Sequence, residues 1–126
     1  MKKDTTGGQK LTGMASGEEW SAKAVVTASV IDLKGEILVE CPANWVQIHQ
    51  TWENPENIDY LFDWVLYADG EKVDDWVVEG IRPSGENQLV FQVLCKVDDA
   101  SAELKLAPVF SRSGEHLEQA ILIKAE

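Results

Sequence analysis

The residues of this chain whose types and spacing best suit a metal ion are the carboxylates that follow an apolar run near its middle. Asp69, Glu71, Asp74 and Asp75 lie close together, and calcium takes carboxylate and carbonyl oxygens on loops of this kind. The spacing differs from an EF-hand loop, however, and acids beside strand ends also discourage a sheet edge from pairing with other chains. We therefore expect a solvated turn, with a calcium site as the alternative and no other cofactor.

Residues for catalysis are few. The chain has two histidines, His49 in a strand-like run and His116 in a turn-like one, and neither stands in a G-x-S-x-G or H-E-x-x-H pattern or beside a phosphate-binding glycine loop. Paired carboxylates could serve a glycosidase, but a small all-β domain seldom carries the long cleft that this reaction uses. We expect no enzymatic activity, and a small hydrolase is the third functional hypothesis.

Five tryptophans in 126 residues are the strongest compositional signal, because indole rings either fill a core or stack on sugars. Trp64 lies inside an apolar run, which indicates a core position. Trp52, beside "ENPEN", and Trp76, which follows two aspartates, have polar neighbours and are the candidate ligand-binding residues. Core filling is the expectation for the set, with sugar stacking by these two as the alternative.

The two cysteines, Cys41 and Cys95, are 54 positions apart and lack the spacing of a zinc site. Both stand in strand-like runs. A disulfide between sheets and two free buried thiols therefore remain as alternatives.

Charge and length limit the partners. The net charge of −11, from 22 acidic and 11 basic residues, disfavours nucleic acid and anionic lipid surfaces. No apolar run is long enough for a membrane helix, and no signal peptide is evident, so we expect no direct membrane insertion of this chain.

The elements that position these residues are predicted to be strands. Residues 1–16 are rich in Gly, Thr and Lys and are interpreted as a flexible leader, and residues 17–126 as a single domain. Alternating apolar residues from Trp20 onward, separated by turn signals, predict strands throughout, with "DLKGE" (32–36) and "ADGEK" (68–72) as hairpin turns and "NWVQIHQTW" (44–52) as a third strand. Seven to nine such strands indicate an all-β antiparallel sandwich, with an up-and-down β-barrel as the alternative.

The second half of the chain shows a familiar order of segments. "DYLFDWVLYADGEKV", "SGENQLVFQVL", "AELKLAPVF" and "LEQAILIK" together resemble, over residues 59–125, the immunoglobulin-like β-sandwich domains of Gram-positive extracytoplasmic proteins, including anti-sigma-factor-like membrane-anchored ones. One antibody-type landmark is missing, since Val93 stands where a tyrosine would precede the second cysteine, so the resemblance does not carry the antibody disulfide with it.

The resemblance implies a non-catalytic, extracytoplasmic immunoglobulin-like module of a bacterial envelope protein, acting as a spacer or a protein-interaction domain. Its partner would be a protein or another cell-envelope component. The alternative is a carbohydrate-binding module that uses exposed tryptophans. We expect an extracytoplasmic or cell-surface location, with the cytoplasm as the alternative.

Overall fold

The structure is a computed structural model that describes residues 3–6, 11–28, 32–54, 58–96, 104–112 and 120–123. Ten strands and one helix lie in these ranges. In chain order they are β1 (Lys3–Thr6), β2 (Leu11–Ala15), β3 (Glu18–Ala28), β4 (Asp32–Glu40), α1 (Ala43–Thr51), β5 (Leu61–Ala68), β6 (Glu71–Lys72), β7 (Trp76–Pro83), β8 (Gln88–Lys96), β9 (Leu104–Phe110) and β10 (Ile121–Ile123).

The strands form two antiparallel sheets. Sheet A has the order β1-β3-β4-β8-β7, with β2 pairing β3 on the same side as β1, and sheet B has the order β10-β9-β5-β6. Among the described strands no ladder joins the two sheets, so the architecture is the predicted all-β sandwich and not the alternative barrel.

The core lies between the sheets, as the alternation of apolar residues predicted. On β8, Leu89, Phe91 and Val93 are buried, and the intervening Gln92 is exposed. Phe91 of sheet A meets Trp64 of sheet B with ring centroids 6.1 Å apart in an edge-to-face arrangement, a geometry that aromatic rings prefer. The core position predicted for Trp64 is confirmed, since its side chain is 1% exposed.

The hairpin between β5 and β6 also forms as predicted. Asp69 and Gly70 connect the two strands, both with positive φ (50° and 85°). A two-residue connection of this hand matches the twist of the flanking strands. The acids around it are therefore turn and strand-end residues.

The stretch "NWVQIHQTW", predicted as a strand, is helix α1 instead. The Pro42 carbonyl accepts the N–H groups of Trp45 and Val46 (3.0 and 3.4 Å), and a proline fits a helix start because its missing N–H is not needed there. The buried residues Trp45, Val46, Ile48 and His49 share one helical face. Burial of that face outweighs the strand preference of the β-branched residues that suggested the wrong period.

Two further predictions need correction. The turn predicted at 32–36 is part of β4, where Gly35 pairs with Val26 on one side and Val93 on the other. Within the predicted flexible leader, β1 and β2 are both paired with β3, so the leader prediction is wrong for these two segments. Residues 1–2 and 7–10 lie outside the described part of the chain.

Candidate functional site

One incompletely paired strand edge receives hydrogen bonds from several buried or half-buried side chains. Strand β9 pairs with β5 from Leu61 to Ala68, but β6 pairs only with Tyr67 and Ala68 on the other side. We call the backbone groups of Leu61, Trp64 and Leu66 on the side away from β9 the β5 edge. Unpaired backbone groups cost free energy when buried and attract other chains when exposed.

Two of the bonds that close the β5 edge come from the segment after the hairpin. The backbone N–H of Val73 donates to the carbonyl of Leu66 at 2.9 Å. The indole N–H of Trp76 donates to the carbonyl of Trp64, also at 2.9 Å. Because Trp76 begins β7 in sheet A, its indole also ties the two sheets together.

Helix α1 supplies the third bond through His49, which is 6% exposed. Its Nε2–H donates to the Leu61 carbonyl, an assignment that follows because a carbonyl can only accept. The ring meets Tyr60 and Phe91 edge-on, with centroids 4.9 and 5.7 Å away. Nδ1 is buried and has no hydrogen-bond partner in the described ranges.

Burial makes His49 a poor base. Desolvation lowers the pKa of His49 below its ordinary 6.5, and the bond to the Leu61 carbonyl opposes this only in part. The imidazole is therefore neutral at physiological pH and acts as a hydrogen-bond donor. A general base needs to reach a substrate proton, and the one basic nitrogen of His49 is enclosed by the core.

Asp63, a residue of β5 itself, provides a further hydrogen-bond acceptor at the β5 edge. Its Oδ1 accepts the backbone N–H of Trp64 at 2.7 Å. Partial burial raises the pKa of the Asp63 carboxyl, while the Trp64 N–H and the charge of Lys72 act in the opposite direction. A raised carboxyl pKa can mark a functional site, but here the carboxylate is occupied by the backbone.

The two tryptophans proposed as ligand-binding residues lie in different environments. Trp76 is half-buried and its indole N–H is taken by the Trp64 carbonyl. Trp52 follows α1 with φ of 60°, and its side chain is 63% exposed. Its backbone N–H bonds the Ile48 carbonyl at 2.6 Å, which ends the helix in a left-handed cap. Of the two, only Trp52 presents most of its ring to solvent.

The acids of the predicted calcium loop do not form a metal site. Asp69, Glu71, Asp74 and Asp75 are all exposed along the hairpin and the turn before β7. Within the described residues, no three His, Cys, Asp or Glu side chains are placed to hold a common ion. The exposed positions of these acids agree with the solvated turn that was the first expectation for this loop.

The predicted alternative of a disulfide between Cys41 and Cys95 is also wrong. Cys41 is a buried free thiol. Cys95 pairs with Leu33 at one end of the β4–β8 ladder, whereas Cys41 directly follows Glu40, which pairs with Gln88 at the other end. Seven ladder positions span about 23 Å, far beyond the reach of a disulfide. The side chain of Cys95 is outside the described part of the structure.

A broad depression lies at the Cys41 end of sheet A. Its volume is about 1190 Å³, and its lining includes Trp20, Ser21, Asn87 and the three glutamates Glu18, Glu19 and Glu40. Burial raises the pKa of the Cys41 thiol in this lining to about 12, so the thiol stays protonated and is a weak nucleophile. The depression is acidic and polar, without an activated nucleophile.

Sequence reasoning missed the roles of His49 and Asp63. His49 was predicted to lie on a strand, and Asp63 was not singled out. One available signal was Pro42 followed by apolar residues at helical spacing, which would have placed His49 on a buried helix face.

Comparisons with known proteins add no assignment to this geometry. Neither the models of protein families, nor the curated protein sequences, nor the solved structures contain a match to the chain. Across the described ranges, no helix has the length and apolar character needed to cross a bilayer.

Proposed function

We propose that this chain is a non-catalytic immunoglobulin-like module of an extracytoplasmic bacterial envelope protein, acting as a spacer or protein-interaction domain. The observation that supports it most is the use of the interior polar groups. His49, Asp63 and the indole of Trp76 are bonded to the backbone of β5. The side chains best suited to chemistry thus hold the fold together.

The outer face of sheet A is the surface that we propose for a protein partner. Its strands β3, β4, β8 and β7 form a face about 20 Å wide and 25 Å long, which is comparable with one side of a small protein interface. Val25 and Val77 on this face are 46% and 48% exposed. Lys34, Gln92 and Glu36 lie between them, a mixture that is common in non-obligate interfaces.

A photo-crosslinking residue at position 77 tests this surface in cells of the source organism. Phe62 provides the matched control, because it is also 48% exposed but belongs to β5 of sheet B. A discrete crosslinked protein at position 77 and none at position 62 supports the proposal, provided that Val25→Lys weakens it. Equal crosslinking at both positions, or none at either, rules out docking on this face.

The non-catalytic part has its own test. The purified chain should show no turnover of ester, peptide or glycoside substrates above that of a heat-denatured sample. A turnover that disappears in Asp63→Asn or His49→Gln, with the fold retained by circular dichroism, would show that these groups act on a substrate.

Carbohydrate binding is the second candidate, and the exposure of Trp52 favours it. An indole ring that is 63% exposed at the end of a helix can stack on a pyranose ring. Titration with soluble cell-wall glycans should then quench tryptophan fluorescence in the wild type but not in Trp52→Ala. Equal responses of the two proteins, or no response of the wild type, would exclude Trp52 as a sugar platform.

A further inference from the structure

His49 lies where a second ring proton, on Nδ1, would be unfavourable. Its Nε2–H is already bonded to the Leu61 carbonyl, and the Nδ1 that would receive a proton is buried without a partner in the described ranges. Desolvation of an unpaired charge at such a site is strongly unfavourable. The favourable interaction of a cation with a helix C-terminus is smaller, so burial favours the neutral ring.

The described groups in contact with the His49 ring carry no counter-charge. Its neighbours are Trp52 at the end of α1, Tyr60 before β5, Phe91 on β8 and the Leu61 carbonyl. Tyr60 is the one titratable side chain among them, and burial raises its pKa, so it stays neutral at and below physiological pH. Protonated His49 therefore gains stability mainly by reaching water.

Water is close at the last turn of α1. Gln50, Thr51 and Trp52 are exposed, whereas Trp45 in the first turn of α1 is fully buried. Release of the last turn alone would carry the imidazole to solvent, at the loss of the bond from the Trp52 N–H to Ile48 and the bond from His49 to the β5 edge. Local openings of this size are the cheapest motions of a folded domain.

We propose that His49 is a proton-sensitive latch, whose protonation releases the last turn of α1 and uncovers the β5 edge at Leu61 while sheet A stays folded. The closed state holds the neutral imidazole, and the open state titrates as an ordinary histidine. The opening equilibrium then increases as the pH falls below about 6.5, the usual histidine value. Between pH 7.5 and 5.0 the increase reaches about 30-fold for a closed state that binds no proton.

Amide hydrogen exchange by NMR, corrected for intrinsic rates, measures this opening residue by residue. The protection factor of the Trp52 amide should fall about 30-fold from pH 7.5 to 5.0. Ile37 is the internal reference, because it lies in the middle of β4, pairs with Phe91 and should exchange only through global unfolding. Global unfolding also frees His49, so protection at Ile37 falls by the same factor, but the protection factor of Ile37 should stay far above that of Trp52 at every pH. His49→Gln keeps an N–H donor but does not titrate, so its Trp52 protection should be the same at both pH values.

Three results would overturn the latch: no fall at Trp52, a protection factor at Trp52 equal to that at Ile37, which would mean opening only by global unfolding, or the same fall in His49→Gln. If that variant does not fold, the wild type still decides. The observed pKa of the His49 ring must then lie below 6.5 by the logarithm of the Trp52 protection factor at pH 7.5. A pKa lowered instead by the logarithm of the Ile37 protection factor refutes the proposal, because His49 would then be released only by global unfolding.

Discussion

Closure of the β5 edge by Trp76 predicts a measurable loss of stability when the indole N–H alone is removed. Trp76→Phe keeps an aromatic ring at the start of β7 but leaves the Trp64 carbonyl without its 2.9 Å partner. Loss of such a bond typically costs about 0.5–1.5 kcal/mol. The smaller ring also buries less apolar surface, and we expect a total of about 1–2 kcal/mol.

Urea unfolding followed by circular dichroism measures this loss. With a slope of about 2 kcal/mol per molar urea, the middle of the usual range, the midpoint should fall by roughly 0.5–1 M. Trp52→Phe is the matched control, since it makes the same chemical change on a side chain that is 63% exposed. Its midpoint should shift by less than about 0.3 M, because exposed substitutions usually change stability by under ~0.5 kcal/mol.

The comparison of the two variants decides the role of Trp76. If Trp76→Phe unfolds at the wild-type midpoint, the indole N–H contributes nothing and the edge is closed in another way. If both variants lose the same stability, the effect belongs to tryptophan replacement in general. An unchanged slope in both is required for the free energies of unfolding to be compared.

Three other predictions concern the acid, the turn and the thiol. Burial raises the pKa of Asp63 in the folded state. The protonated carboxyl therefore stabilises the fold below pH 3.8, and this contribution is lost as the pH rises through the folded pKa. Asp63→Asn should be more stable than the wild type at pH 7 but not at pH 3, and a difference that is the same at both pH values would contradict this. Gly70→Ala should cost about 1 kcal/mol in urea unfolding, because φ is +85° there with open space around it, whereas Gly80→Ala, whose added Cβ would lie 3.5 Å from a flexible glutamine side chain, should cost much less. The intact mass should be the same with and without reductant, and the Cys41 thiol should react with a labelling reagent only after denaturation. A mass difference of two daltons would instead show a disulfide between Cys41 and Cys95.

The strands could be predicted wherever burial follows a simple alternation. On β8 the apolar residues at every second position define one face, and on β5 the apolar run around Trp64 indicated a core position. The hairpin at Asp69 and Gly70 was also predictable, because two consecutive left-handed residues are favourable only for a few residue types. In these segments local preference and tertiary packing agree.

Helix α1 was wrongly predicted as a strand because its residues fit both the alternation of a strand and the spacing of a helix. Val46, Ile48 and Thr51 favour a strand by local propensity, while Trp45, Val46, Ile48 and His49 form a buried face only when the segment is helical. Whether the segment is a strand or a helix depends on the sheets against which that face packs. The turn at 32–36 failed for a related reason, since Gly35 lies between two neighbouring strands where its freedom of backbone conformation is not used.

The amino-acid sequence by itself determined the fold class, the acidic surface and the core position of Trp64, because alternation, charge and apolar content are local properties of the chain. Only the tertiary structure decided that His49, Asp63 and Trp76 close one strand edge. It also decided that Cys41 and Cys95 are at opposite ends of a ladder. These outcomes depend on strand register and on where a helix lies against a sheet. Neither can be predicted from the spacing of residues along the chain.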